Sequence, residues 1–166
     1  INALSNVNVT KDLNVTGNVY ALSNVSVTKD LGVTGNVYAS NNVNVSKNLI
    51  VTGNVFANSN VVVSKEAIVN ANIYAKSNVF VSKELQVTQD VTASANLDVG
   101  KDLTVTGNVF ADSNISVANQ LDVSGNAYIS KRLYVTGDVT ASSNVDVTRD
   151  LNVSRDAIIS RNANLT

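Results

Sequence analysis

Histidine, cysteine, methionine, tryptophan and proline are all missing from this chain of 166 residues. Without histidine and cysteine it lacks the commonest metal ligand, the commonest general base and the thiol nucleophile together. No disulfide or thiolate metal site can form, and the redox compartment is unreadable. Aromatics make up only 5% against 44% hydrophobic residues, which suits a narrow core of valine, leucine and alanine. A net charge of −1 argues against a nucleic-acid partner. No apolar run approaches membrane-spanning length and no signal peptide is visible, so membrane insertion is not expected. The chain opens without methionine, directly in a repeat, and is therefore read as a segment of a longer or processed chain.

The repeat has a six-residue frame. Its first places run Ile1, Val7, Leu13, Val19, Val25 and Leu31, and onward to Ala163. Its third places run Ala3, Val9, Val15, Ala21, Val27 and Val33, and onward to Leu165. Both hold only aliphatic residues from end to end. Inward residues two apart are the period of a strand, not a helix. β-branched valine favours extended backbone. Places four to six read Thr-Gly-Asn, x-Ser-Asn or Thr-Lys-Asp, a composition expected of corners that visit left-handed backbone angles. Strand and corner alternate too quickly for a hairpin meander, which leaves a solenoid.

Gly17, Gly35 and Gly53, Ala21, Ala39 and Ala57, and Lys11, Lys29 and Lys47 each recur every eighteen residues. Three hexads thus make one rung. The expected fold is all-β, a three-sided parallel β-helix (β-solenoid) of about nine rungs, roughly 43 Å long. Residues 1–166 read as a single continuous solenoid. The eighteen-residue markings slip at 127–132, where Gly137 follows Gly125 after only twelve residues. The hexad survives, so one hexad is lost and the outer markings jump to another face.

Carboxylates at the corner place, such as Asp12, Asp30, Glu66, Glu84 and Asp102, sit beside lysine or another polar residue. Charge balance along stacked lysines accounts for them better than acid–base catalysis. No catalytic, cofactor-binding or metal residue is assigned. Asparagine fills place six, at Asn6, Asn18, Asn24, Asn36, Asn42 and beyond, where stacked amides can bond along the axis. Sequons occur at Asn8, Asn14, Asn24, Asn44, Asn114, Asn152 and Asn164, as chance would produce in such a composition.

The second place points outward. An aromatic ladder of Tyr20, Tyr38, Phe56, Tyr74, Phe110 and Tyr128 runs up one face, interrupted by Thr92. It serves either cross-rung stacking or the binding of a sugar or partner. In the middle rungs Ile50, Val62, Ile68 and Phe80 add apolar groups on the other two faces. With Phe56 and Tyr74 they form an expected lateral contact surface. Ice binding would need paired outward threonines, and only Thr104 and Thr106 form such a pair.

The run Val15-Thr16-Gly17-Asn18-Val19-Tyr20-Ala21 recurs at 33–39 and, with phenylalanine, at 51–57 and 105–111. It resembles the repeat of bactofilins, three-sided right-handed β-helices, and that resemblance implies right-handedness and a self-polymerising cytoskeletal filament subunit in the bacterial cytoplasm. The same words also resemble "TGNVYA…SNV" repeats in fibre and other virion proteins of large algal DNA viruses and marine phages. Hexapeptide acyltransferases match less well, since they need a catalytic histidine. The missing proline-rich tails, the high asparagine content and the nearly invariant frame depart from bactofilins and favour the virion resemblance.

The expected function is accordingly a non-enzymatic structural rod, a virion fibre or ruler-like capsid-associated protein. The alternative is the bactofilin-like filament, and the minor one an extracellular ice-binding or carbohydrate-binding adhesin. Expected partners are other copies, head to tail or laterally, or other structural proteins of the assembly. Neither terminal hexad carries a polar cap, so the ends are expected to continue into further chain or to stack.

Overall fold

A computed structural model describes all 166 residues. Strands of two to four residues, mostly three, alternate with short corners from Asn2 to Leu165, and there is no helix. The strands stack into three parallel sheets of 10, 9 and 9 strands, each sheet one face of the coil. The first face holds Val19–Ala21 and Val37–Ala39, the second Val25–Val27 and Val43–Val45, and the third Leu31–Val33 and Leu49–Val51.

Register is locked at eighteen residues. Val55 pairs with Ile73, Val61 with Val79 and Ala67 with Leu85. A slip of one residue would turn the aliphatic side chains outward, so burial enforces this pairing. Corners join the ladder too: Lys83 donates its N–H to the Lys65 carbonyl at 3.1 Å, and Ser77 to Ser59 at 3.2 Å.

First and third places form one continuous aliphatic core with no buried polar residue. Rungs balance their volume across faces. Ala21 and Ala39 on the first face are offset by Leu31 and Leu49 on the third. Where the third face drops to Ala67, the first supplies Ile73. Such compensation keeps packing dense where identical large residues would collide.

Pairing runs through the slip without a break. Val109 pairs with Ala127 and Ala127 with Val145. Beyond it the residue sets rotate together by one face. Leu133 and Val135 lie on the second face, Val139 and Ala141 on the third, Val145 and Val147 on the first. The rung from Leu133 to Val147 holds the same six core side chains as that from Leu31 to Val45, so core volume is preserved across the slip.

The corner expectation needs correction. No residue, glycine or otherwise, has positive φ. The corners turn with ordinary backbone angles, so left-handed tolerance explains neither asparagine nor glycine. Asparagine is there for its side chain. Asn42 Oδ1 accepts the N–H of Asn60 and the amide of Asn60, both at 3.1 Å, and Asn60 Oδ1 does the same for Asn78. Glycine is there for space. A Cβ on Gly53 would lie 2.5 Å from Asn36 Oδ1 and 2.6 Å from the Gly35 carbonyl oxygen. Ala71 and Gln89 occupy the same column, so the corner admits a Cβ where its local path allows.

Candidate assembly surfaces

With the first and third places turned inward, the second place of each strand is the outward face of its sheet. This alternation sets the surface chemistry of every rung.

On the first face, four rings stack in register. Successive centroids of Tyr20, Tyr38, Phe56 and Tyr74 lie 4.6, 4.8 and 5.0 Å apart, with planes within 5° of parallel. Phe110 and Tyr128 form a second stack at 5.0 Å. Thr92 lies between them, paired with Tyr74 on one side and Phe110 on the other. Stacked along the axis, the rings spend their faces on one another and show their edges to solvent. Burial and the neighbouring Tyr20, through its charge and its hydrogen bond, hold the Tyr38 hydroxyl above the ordinary tyrosine value.

The six residues expected to make lateral contact separate into pairs, one on each face. Phe56 pairs with Tyr74 on the first face, Val62 with Phe80 on the second, and Ile50 with Ile68 on the third. The geometry therefore makes a belt, and a single straight neighbour would meet only part of it. Phe80 is followed on its face by Asp98, whose carboxyl is pushed above its ordinary value by burial.

A shallow hollow of about 370 Å³ lies beside the aromatic stack, between Leu4, Leu22, Tyr20 and Tyr38. Leu4 and Leu22 are 90% and 64% exposed. They stand at place four, where threonine and serine are usual, and this departure was the available signal for an apolar edge. Tyr134 is likewise exposed, on the second face after the slip.

The corner joining the second and third faces is charged. Lys11, Lys29, Lys47, Lys65, Lys83 and Lys101 stack beside Asp12, Asp30, Asn48, Glu66, Glu84 and Asp102. One ion pair forms along this stripe, Lys101 to Glu84 at 3.6 Å. Over the same rungs the other two corners carry mainly Ser-Asn and Gly-Asn. No cluster of three or more acidic side chains is placed to hold a metal ion.

An aliphatic core, stacked corner amides and outward ring ladders make this chain a three-sided parallel β-solenoid, a rod-shaped fold. Residues 26–128 match the family model for bactofilin, described as polymer-forming cytoskeletal. The match covers well over half of the chain, which belongs to the bactofilin family. Comparison with curated proteins and with solved structures gives no significant match. The family is one of structural polymers and not of enzymes. Its description supports the filament-subunit alternative better than the virion assignment favoured by the asparagine content and the missing proline-rich tails. Those features are properties of corners and flanks, while the family model spans the core rungs.

Proposed function

We propose that this chain is a self-polymerising filament subunit whose copies join end to end through their rungs. The uninterrupted eighteen-residue register carries this reading. Every rung offers its neighbour the same backbone ladder, aliphatic columns and corner amides. Wherever such a coil stops, its last rung presents strand edges and core side chains that another rung completes. The family's printed description as polymer-forming supports the same conclusion. No nucleotide is needed, since ladder bonds and aliphatic burial drive the contact. In this reading the filament is a cytoskeletal element of a bacterial cytoplasm.

Lateral contact belongs to the same reading, with the belt of Ile50, Phe56, Val62, Ile68, Tyr74 and Phe80 as its surface. One pair per face admits a neighbour on each side of the rod. Electron microscopy of the full chain tests the proposal. The expected result is bundles of unbranched filaments, each filament one coil wide, with strands repeating at about 4.8 Å along the axis. Monomers alone, at every concentration and salt, would overturn the filament reading. Unchanged bundles from the Ile68→Asp, Phe80→Asp double variant would overturn the lateral surface.

A further inference from the structure

We infer that the charged corner between the second and third faces is a docking stripe for a second copy of this chain, and that it selects parallel rods. The inference deepens the filament reading and rests on it, because the stripe gains strength only when repeated along long rods.

The argument starts from an unresolved repulsion. Six lysines stand one above another at rung spacing, about 4.8 Å. Five of the six corner places beside them are acidic, with Asn48 the exception. Within the chain only Lys101 finds a carboxylate; Asp12, Asp30 and Asp102 each use Oδ1 to accept an N–H of the next rung, which leaves their charge and second oxygen for an outside partner. Each lysine has an acid as its immediate neighbour, so a polyanion laid along the corner would meet attraction and repulsion side by side. A surface carrying the inverse arrangement suits it better.

A second copy provides that arrangement in one orientation. Going round the coil, lysine precedes acid at this corner. When two parallel rods meet corner to corner, their chain directions oppose across the contact, as in two gears turning alike. The lysine column of each then faces the acid column of the other. At zero axial shift, Lys11, Lys29, Lys65, Lys83 and Lys101 face Asp12, Asp30, Glu66, Glu84 and Asp102 of the partner, and the reverse set repeats the pairing. Lys47 alone meets an amide, Asn48. Turning one rod end for end sets lysine on lysine and acid on acid. Antiparallel contact at this corner is therefore repulsive along its whole length.

The slip at 127–132 limits the stripe. Beyond Asp102 the same corner reads Asn119-Gln120, Gly137-Asp138 and Arg155-Asp156, while Lys131-Arg132 and Arg149-Asp150 appear on the corner between the first and second faces. There Arg132 already satisfies Asp150 within the chain at 3.0 Å. Docking charge is thus densest in the first six rungs, with Arg155-Asp156 repeating the pair in the ninth, and zero axial shift is the alignment that pairs all of them.

Exposed ion pairs are individually weak and screened by salt. In the Ile68→Asp, Phe80→Asp background, which removes the apolar lateral contact, filaments of the full chain should therefore pair side by side at about 50 mM salt and separate at about 300 mM. In that background the Lys65→Glu, Lys83→Glu variant and the Glu66→Lys, Glu84→Lys variant should each form single filaments only. Mixing the two variants should restore pairing. The chain has no cysteine, so Thr10→Cys, at an exposed corner, accepts a single spin label. Parallel pairing puts labels on adjacent rods about 10 Å apart, whereas antiparallel pairing about the middle of the stripe puts them roughly 25 Å apart. The longer distance, or pairing unaffected by salt and by both charge variants, would overturn the inference. So would unpaired filaments at low salt, which would leave the end-to-end reading intact. Absence of filaments would fail both.

Discussion

Replacing Asn60 separates the two physical accounts of the asparagine corners. Its Oδ1 accepts the Asn78 N–H at 3.1 Å and the Asn78 amide at 3.0 Å. Its own amide donates to Asn42 Oδ1 and to Ser59 Oγ, both at 3.1 Å. Asn60→Ala removes all four bonds and leaves the half-buried Asn78 N–H without its acceptor. Net hydrogen bonds are worth about 1 kcal/mol each and an unsatisfied donor costs about 1–3 kcal/mol. Partial exposure and regained side-chain freedom reduce the total, so a loss of roughly 3 kcal/mol is expected. Asn60→Asp keeps the acceptor and loses only the donor. The neighbouring corner already tolerates this, since Asp90 Oδ1 accepts the Asn108 N–H at 2.7 Å and the Asn108 amide at 3.2 Å. Its cost should stay near 1 kcal/mol. Asn60→Gly is the decisive variant. If asparagine served left-handed backbone, glycine would match or improve on it. With no positive φ in the chain, glycine should be as damaging as alanine or worse. Denaturant unfolding gives the overall loss. Hydrogen exchange at the Asn78 amide reads the local one, expected to quicken in the alanine and glycine variants and hold in the aspartate variant. A glycine variant as stable as the parent would refute the side-chain account.

Three further outcomes follow from the same geometry. Gly53→Ala should destabilise by about 1–3 kcal/mol, because its Cβ meets the Gly35 carbonyl and Asn36, whereas Gly17→Ala meets nothing and should be neutral in the same melts. Thr92→Phe should join the two ring stacks into one and add up to about 1 kcal/mol, visible as a raised melting temperature and a stronger near-ultraviolet aromatic signal. Burial keeps the Asp98 carboxyl more protonated in the folded chain than in the unfolded one, so its contribution is fully present below the ordinary value of 3.8 and is lost as pH rises through the folded value. Asp98→Asn should remove that decline, and stability curves against pH with the same acid-side slope for both proteins would contradict it.

Much of this architecture follows from one-dimensional pattern. Side chains alternate across a strand, so aliphatic residues two apart, renewed every six, permit no other regular burial. The three faces, the rung length and the outward position of Tyr20, Ile50 and Val62 need no coordinates. The slip was legible too, because Gly137 and Ala141 keep the hexad while changing face. Amide stacking was legible as one of two readings of corner asparagine, but the choice between it and backbone angle was not, nor was close approach as the reason for glycine. A corner asparagine or glycine has the same sequence signature whether it serves backbone angle, a side-chain bond to the next rung or close approach of two carbonyl groups. Only stacking puts Asn60 against Asn78 and Gly53 against Gly35, eighteen residues apart. That the lysine column forms one ion pair, Lys101 to Glu84, likewise depends on how rungs superpose. A repeat states which residues are equivalent, whereas contact between equivalent residues is a property of the tertiary structure.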